Sequence, residues 1–178
     1  MLHEGKQTKL TIAVNNYLTK ISEENTKYVL EIYNYLTAKG IKADLRGSFI
    51  RFDYKKQYLM VIATDSPQIN LRISLCKNTK SQYNFILDEI EKLHEKNELL
   101  NYIADNVQYC NSCDGKKPDN CGQETEIFGE RRKTCSFGRG LLIMSKKSNK
   151  DKNYYDHDMK MLKLILDLRI KEIDSLIS

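Results

Sequence analysis

Three β-type runs, set almost end to end between residues 48 and 74, restrict what this chain can fold into more than any other feature. SFIRFDY (48–54) alternates through Ile50, Phe52 and Tyr54. YLMVIAT (58–64) is continuously apolar and reads as a central strand. QINLRIS (68–74) places Ile69, Leu71 and Ile73 on one face and Asn70, Arg72 and Ser74 on the other, the pattern of a half-buried strand. The breaks between them, Lys55-Lys56-Gln57 and Asp65-Ser66-Pro67, are too short for a crossover. Neighbouring strands must therefore pair antiparallel. The stretch before Gly47 is expected to add a fourth, shorter strand, and LLIMS at 141–145 has strand character as well.

Helical periodicity surrounds this block. Leu10, Val14, Tyr17, Leu18 and Ile21 recur at helical spacing, and after the polar SEENT the pattern resumes at Val29, Ile32, Tyr33 and Leu36. One bent helix and two separate helices fit equally. Lys39-Gly40 supplies a stop, because glycine accepts the left-handed conformation that follows a C-cap. A long helix is expected from Ser81 to Ala104, with Asn97 as its candidate interruption. A last helix is expected from Tyr155 to Leu176. Met159, Leu162, Leu166, Ile170, Ile173 and Ile177 form one seam along it, and Met161, Ile165 and Leu168 a second. A surface that broad is buried against a sheet or a partner.

The fold expectation is α+β: an antiparallel sheet of three to five strands, built from 42–76 with a contribution from 127–145, covered by helices mainly on one face. At 178 residues one domain is expected over 1–178, with 110–135 inserted in it as a cysteine-rich unit. There is no run of 18 apolar residues, and MLHEGKQTKL has no apolar signal core. The expectation is a cytoplasmic chain with no membrane partner.

The cysteines carry the sharpest chemistry. Cys110, Cys113, Cys121 and Cys135 fall within 26 residues, and only Cys76 lies elsewhere. Cys110-Asn-Ser-Cys113-Asp-Gly115 has the shape of a zinc knuckle, in which two thiolates three residues apart aim at one point. From Asp114 to Glu126 no side chain except Cys121 is apolar, so burial cannot order that stretch. A tetrahedral Zn²⁺ held by four thiolates would order it instead, with an apparent binding energy on the order of 10 kcal/mol. An iron–sulfur cluster, two disulfides and a Cys110/Cys113 redox pair are the other readings. Ferredoxin spacing is absent, and a reducing compartment disfavours disulfides. A closed four-thiolate site is structural, because it leaves no position open for water.

Charge is uneven. The chain carries +5 overall, but the segment from Glu130 to Lys152 alone carries +6. Arg131, Arg132, Lys133, Arg139, Lys146 and Lys147 are the candidate contacts to nucleic acid or a small anionic ligand. Phe128, Phe137, Tyr154 and Tyr155 flank them, so charge for phosphates and rings for stacking are interleaved. A solvated basic loop is the plain alternative.

Catalytic groups are sparse. His3 is near the start of the chain, His94 sits in the charged EKLHEKNE, and His157 is expected in the first turn of the last helix. Neither the deaminase signature nor a phosphate-binding glycine loop is present. The functional expectation is a zinc-stabilised binding or regulatory module that recognises an anionic partner. The alternatives are a homo-oligomer acting through the C-terminal helix and an enzyme whose site the sequence does not reveal.

Overall fold

Two helices precede the sheet, separated by a tight turn. In the computed structural model, which describes residues 9–64, 70–73, 80–106, 123–127, 130–134, 141–144 and 152–177, α1 spans Lys9–Leu18 and α2 spans Glu23–Ala38. Ser22 restarts the helix: its Oγ accepts the Asn25 backbone N–H at 3.2 Å, and Glu23 and Glu24 complement the helix dipole. α2 stops where the sequence says it should. Gly40 adopts φ +74°, its N–H donates to the Thr37 carbonyl, and the Ile41 N–H donates to the Leu36 carbonyl. These two bonds make a Schellman cap, and buried Ile41 and Leu36 supply its apolar contact.

The chain then turns sharply through β1 (Lys42–Arg46), β2 (Phe49–Tyr54) and β3 (Gln57–Ala63), and β4 (Asn70–Ile73) follows. All neighbours pair antiparallel, and β7 (Leu141–Met144) adds to the far side of β4, giving the order β1-β2-β3-β4-β7. The continuously apolar β3 is the central strand, as its composition requires. Lys55 and Lys56 alone form the turn into β3, both at positive φ, and Gln57 already pairs with Tyr54. β5 (Gln123–Ile127) and β6 (Glu130–Thr134) form a separate two-stranded hairpin.

The register sorts the side chains into two faces. Leu45, Ile50, Ile62, Leu71 and Ile143 make one cross-strand row, and Ala43, Phe52, Met60, Ile73 and Leu141 the next. Ile50, Phe52, Met60, Ile62, Leu71 and Ile73 from these rows are fully buried in the core beside helix residues such as Val29, Ile32, Leu36, Ile90 and Leu162. A fully buried side chain of this size stabilises by about 1.5–3 kcal/mol. The ring of Tyr33 on α2 meets that of Phe52 edge to face, 5.8 Å between centroids.

The middle helix differs from the expectation. α3 (Lys80–Ile90) and α4 (Lys96–Asn106) are separate, and the break lies at 91–95, with Asn97 inside α4. The reason is angular. Ile86 and Ile90 of α3 are buried, as are Leu99, Tyr102 and Ile103 of α4. On one straight helix, at about 100° per residue, Leu99 would point about 180° away from Ile90. The break re-aims the second apolar stripe into the same core.

α5 (Lys152–Ile177) buries both of its seams in this core through Met159, Met161, Leu162, Ile165, Leu166, Leu168 and Ile173. Among its described side chains, the large apolar ones left exposed are Leu176 and Ile177 at its end. Among the described residues no helix is long and apolar enough to cross a membrane.

Candidate functional site

All five cysteines lie outside the described residues, as do Arg139, Lys146 and Lys147. Arg131, Arg132 and Lys133 fall on β6. The described strands nevertheless bound where these residues can be. Gln123 pairs with Thr134, so the two ends of the β5–β6 hairpin lie side by side. Cys121 precedes Gln123 by two residues and Cys135 follows Thr134 directly. Fourteen peptide steps separate the two cysteines along the chain, about 45–50 Å if extended. The β5–β6 pairing turns that path back on itself between Gln123 and Thr134.

The same register divides the basic residues. Glu124 is opposite Lys133 and Glu126 is opposite Arg131, while Arg132 faces Thr125 across the ladder. With Glu130 included, the two strands carry three acidic and three basic residues and are neutral together. Over 123–152 the net charge is +4, and it resides in Arg139, Lys146, Lys147, Lys150 and Lys152 against Asp151. β7 lies in the middle of that group. Arg139 is two residues before Leu141, which pairs with Ile73, and Lys146 is two residues after Met144, which pairs with Asn70. The basic segment is thus tethered at both ends of an edge strand of the main sheet.

That edge strand adjoins a face the sequence did not single out. On the side of the sheet opposite the core, one row runs Asp44, Arg51, Val61, Arg72, Leu142, and the next runs Arg46, Phe49, Ala63, Asn70, Met144. Phe49, Arg51, Tyr58, Val61 and Arg72 are partly exposed and stand outside the core. The Arg51 guanidinium carbon lies 5.4 Å from the Tyr58 ring centroid, and that of Arg72 lies 5.9 Å from the Phe49 ring. Tyr58 is laid along the sheet, its hydroxyl donating to the Arg72 carbonyl at 3.0 Å. Burial pushes its phenol up to about 12, although Arg72 and Arg51 pull in the other direction. Nε and Nη2 of Arg51 both donate to Asp53 Oδ1 at 2.8 Å, and Arg46 pairs with Asp44 at 3.0 Å.

Two further clusters are structural in character. His94 is exposed. His157 belongs to the body of α5, with Nδ1 3.0 Å from Glu98 Oε1 and its ring edge-on to Tyr102. Beside it the Tyr28 hydroxyl donates to Asp158, which is 2% exposed, and links α2 to α5. Burial, then the Asp158 charge, raises the Tyr102 phenol. The second cluster is a shallow groove of about 350 Å³ between α2 and α5. Its rim is internally paired: Lys163 bonds Glu31 at 2.6 Å, and Asp167 takes Tyr35 and Lys39 at 2.6 and 3.0 Å.

Among the described residues no group of three metal-ligating side chains comes together, and the cysteines are not among them. Comparison with protein-family models, with curated proteins and with solved structures finds no match to this chain.

Proposed function

We propose that this chain is a zinc-stabilised binding module that takes up a polyanion, nucleic acid first, through the basic residues around β7. The observation that carries the zinc part is the β5–β6 register, which draws the positions flanking Cys121 and Cys135 together. The thirteen residues between those cysteines made the spacing look loose as sequence. Folded out as a hairpin, they act as a spacer, and Cys110-x-x-Cys113 supplies the other pair. The ion's role is to tie a polar stretch that has no core of its own. In the binding part, Arg139, Lys146 and Lys147 contribute charge, while Arg131 and Lys133 hold register positions opposite Glu126 and Glu124.

Metal content of protein purified without chelator tests the first part. About one zinc per chain is expected, lost together with thermal stability in Cys121→Ser, since a four-thiolate site closes as a unit. Less than about half a zinc, or a Cys121→Ser variant indistinguishable from the parent, ends the zinc reading. A mobility shift at about 50 mM salt tests the second part. Lys146→Glu/Lys147→Glu should abolish the shift, and its absence in the parent protein at micromolar concentration ends the polyanion reading.

A further inference from the structure

We infer that the face of the main sheet turned away from the helices is a stacking platform for single-stranded nucleic acid. This rests on the polyanion reading above and narrows it to one class of ligand. Three observations carry it. The first is composition: the face holds Lys42, Arg46, Arg51 and Arg72 against Asp44 and Asp53, a net excess of two positive charges. The second is geometry. The Arg51 guanidinium lies over the Tyr58 ring, from β2 to β3, and that of Arg72 over the Phe49 ring, from β4 across β3 to β2, so two cation–π contacts lie on one face. Unpaired bases insert between or above such planes, whereas bases inside a duplex present only their edges. The third is continuity. Arg72 pairs with Leu142 of β7, the strand from whose ends Arg139 and Lys146 extend.

The mechanism needs no rearrangement of the core. The inner face is filled by Ile50, Phe52, Met60, Ile62, Leu71 and Ile73, and the outer side chains can shift independently of them. Asp44 and Asp53 already hold Arg46 and Arg51 in place, which fixes the guanidinium of Arg51 near its ring before a ligand arrives. Binding should therefore combine a salt-dependent contribution from phosphate neutralisation with a stacking contribution that salt leaves largely intact.

The test is fluorescence anisotropy on the full chain with a labelled oligodeoxythymidine of about 20 nucleotides and a mixed-sequence duplex of about 20 base pairs, at low and at physiological salt. The single strand is expected to bind the more tightly. Arg51→Gln/Arg72→Gln should weaken single-strand binding by about tenfold or more while leaving duplex binding within about twofold. Arg51→Lys/Arg72→Lys, which keeps the charge and removes the planar group, should recover only part of the loss. Circular dichroism melts establish that each variant is folded. If the single strand binds but both variants match the parent within about twofold, or the duplex binds equally well, the platform is refuted while the basic-segment reading survives. If neither nucleic acid binds the parent protein, both fall.

Discussion

Arg169 and Glu172 offer the severest test of the packing described above. They lie one turn apart on α5, each is 1% exposed, and they form an ion pair inside the core. Their satisfaction is incomplete. Arg169 Nη2 reaches the Tyr58 carbonyl only at 3.5 Å, and Arg169 Nε and Glu172 Oε1 have no partner among the described residues. Two buried polar atoms without partners cost about 1–3 kcal/mol each. The pair is therefore a poor source of net stability but a costly thing to break. Arg169→Met alone leaves a carboxylate in an apolar site, and the expected loss is about 3–5 kcal/mol. For a chain of this length that corresponds to a fall in Tm of roughly 6–20 °C. Arg169→Met/Glu172→Leu removes both charges and both unpartnered atoms, so it should return to within about 1 kcal/mol of the parent or exceed it. Urea unfolding of the parent, Arg169→Met, Glu172→Leu and the double variant, followed at the helical circular dichroism band, gives the four stabilities of the cycle. The pH dependence supplies an independent sign. Burial raises the Glu172 carboxyl above its ordinary value, with Arg169 only partly opposing it. A raised acid binds its proton more tightly when folded, so its contribution is fully present below the unfolded pKa and is lost as pH rises through the folded value. The double variant should lack that decline. A single variant that costs less than about 1 kcal/mol, or a double variant as unstable as the single, would refute the reasoning.

Two other expectations are simpler to check. Tyr28→Phe removes the hydroxyl that donates to Asp158 and should lower stability by about 1–3 kcal/mol in a thermal melt, because the carboxylate stays buried with one donor fewer. Lys56→Gly should instead raise stability by about 1 kcal/mol, since Lys56 sits at φ +64° in the two-residue β2–β3 turn where glycine carries no Cβ penalty.

The sheet was legible because each of its strands announces itself locally. Alternation at 49–54 and 70–73, and a continuous apolar run between them, leave one register in which Ile50, Ile62 and Leu71 share a face. The helix caps were legible for the same reason, with Ser22 and Lys39-Gly40 carrying their signals in one or two residues. The break between α3 and α4 was misplaced because no glycine or proline marks it. The signal was there in a less local form, as two apolar stripes half a turn out of phase at Ile86–Ile90 and Leu99–Ile103. The pairing of β7 with β4 was only partly legible, since LLIMS reads as a strand without saying which of the sheet's edges it joins.

The functional surface divides along the same line. A charge run is a one-dimensional feature, so the basic segment stood out at once, but its chemistry depends on what lies across the ladder. Arg131 and Lys133 are among the candidate contacts in sequence, and the hairpin register sets Glu126 and Glu124 opposite them. The outer face of the main sheet has the reverse history. Arg51 and Arg72 are 21 positions apart, Phe49 and Tyr58 fall on different strands, and none of the four belongs to a run. Only antiparallel pairing, through Arg51 opposite Val61 and Val61 opposite Arg72, sets the two arginines in one row, with Phe49 in the row to one side and Tyr58, opposite Asp53, in the row to the other. A period-two strand gives its polar positions away as solvent-facing. It does not say that three such strands, laid side by side, bring a guanidinium over a ring twice on one face.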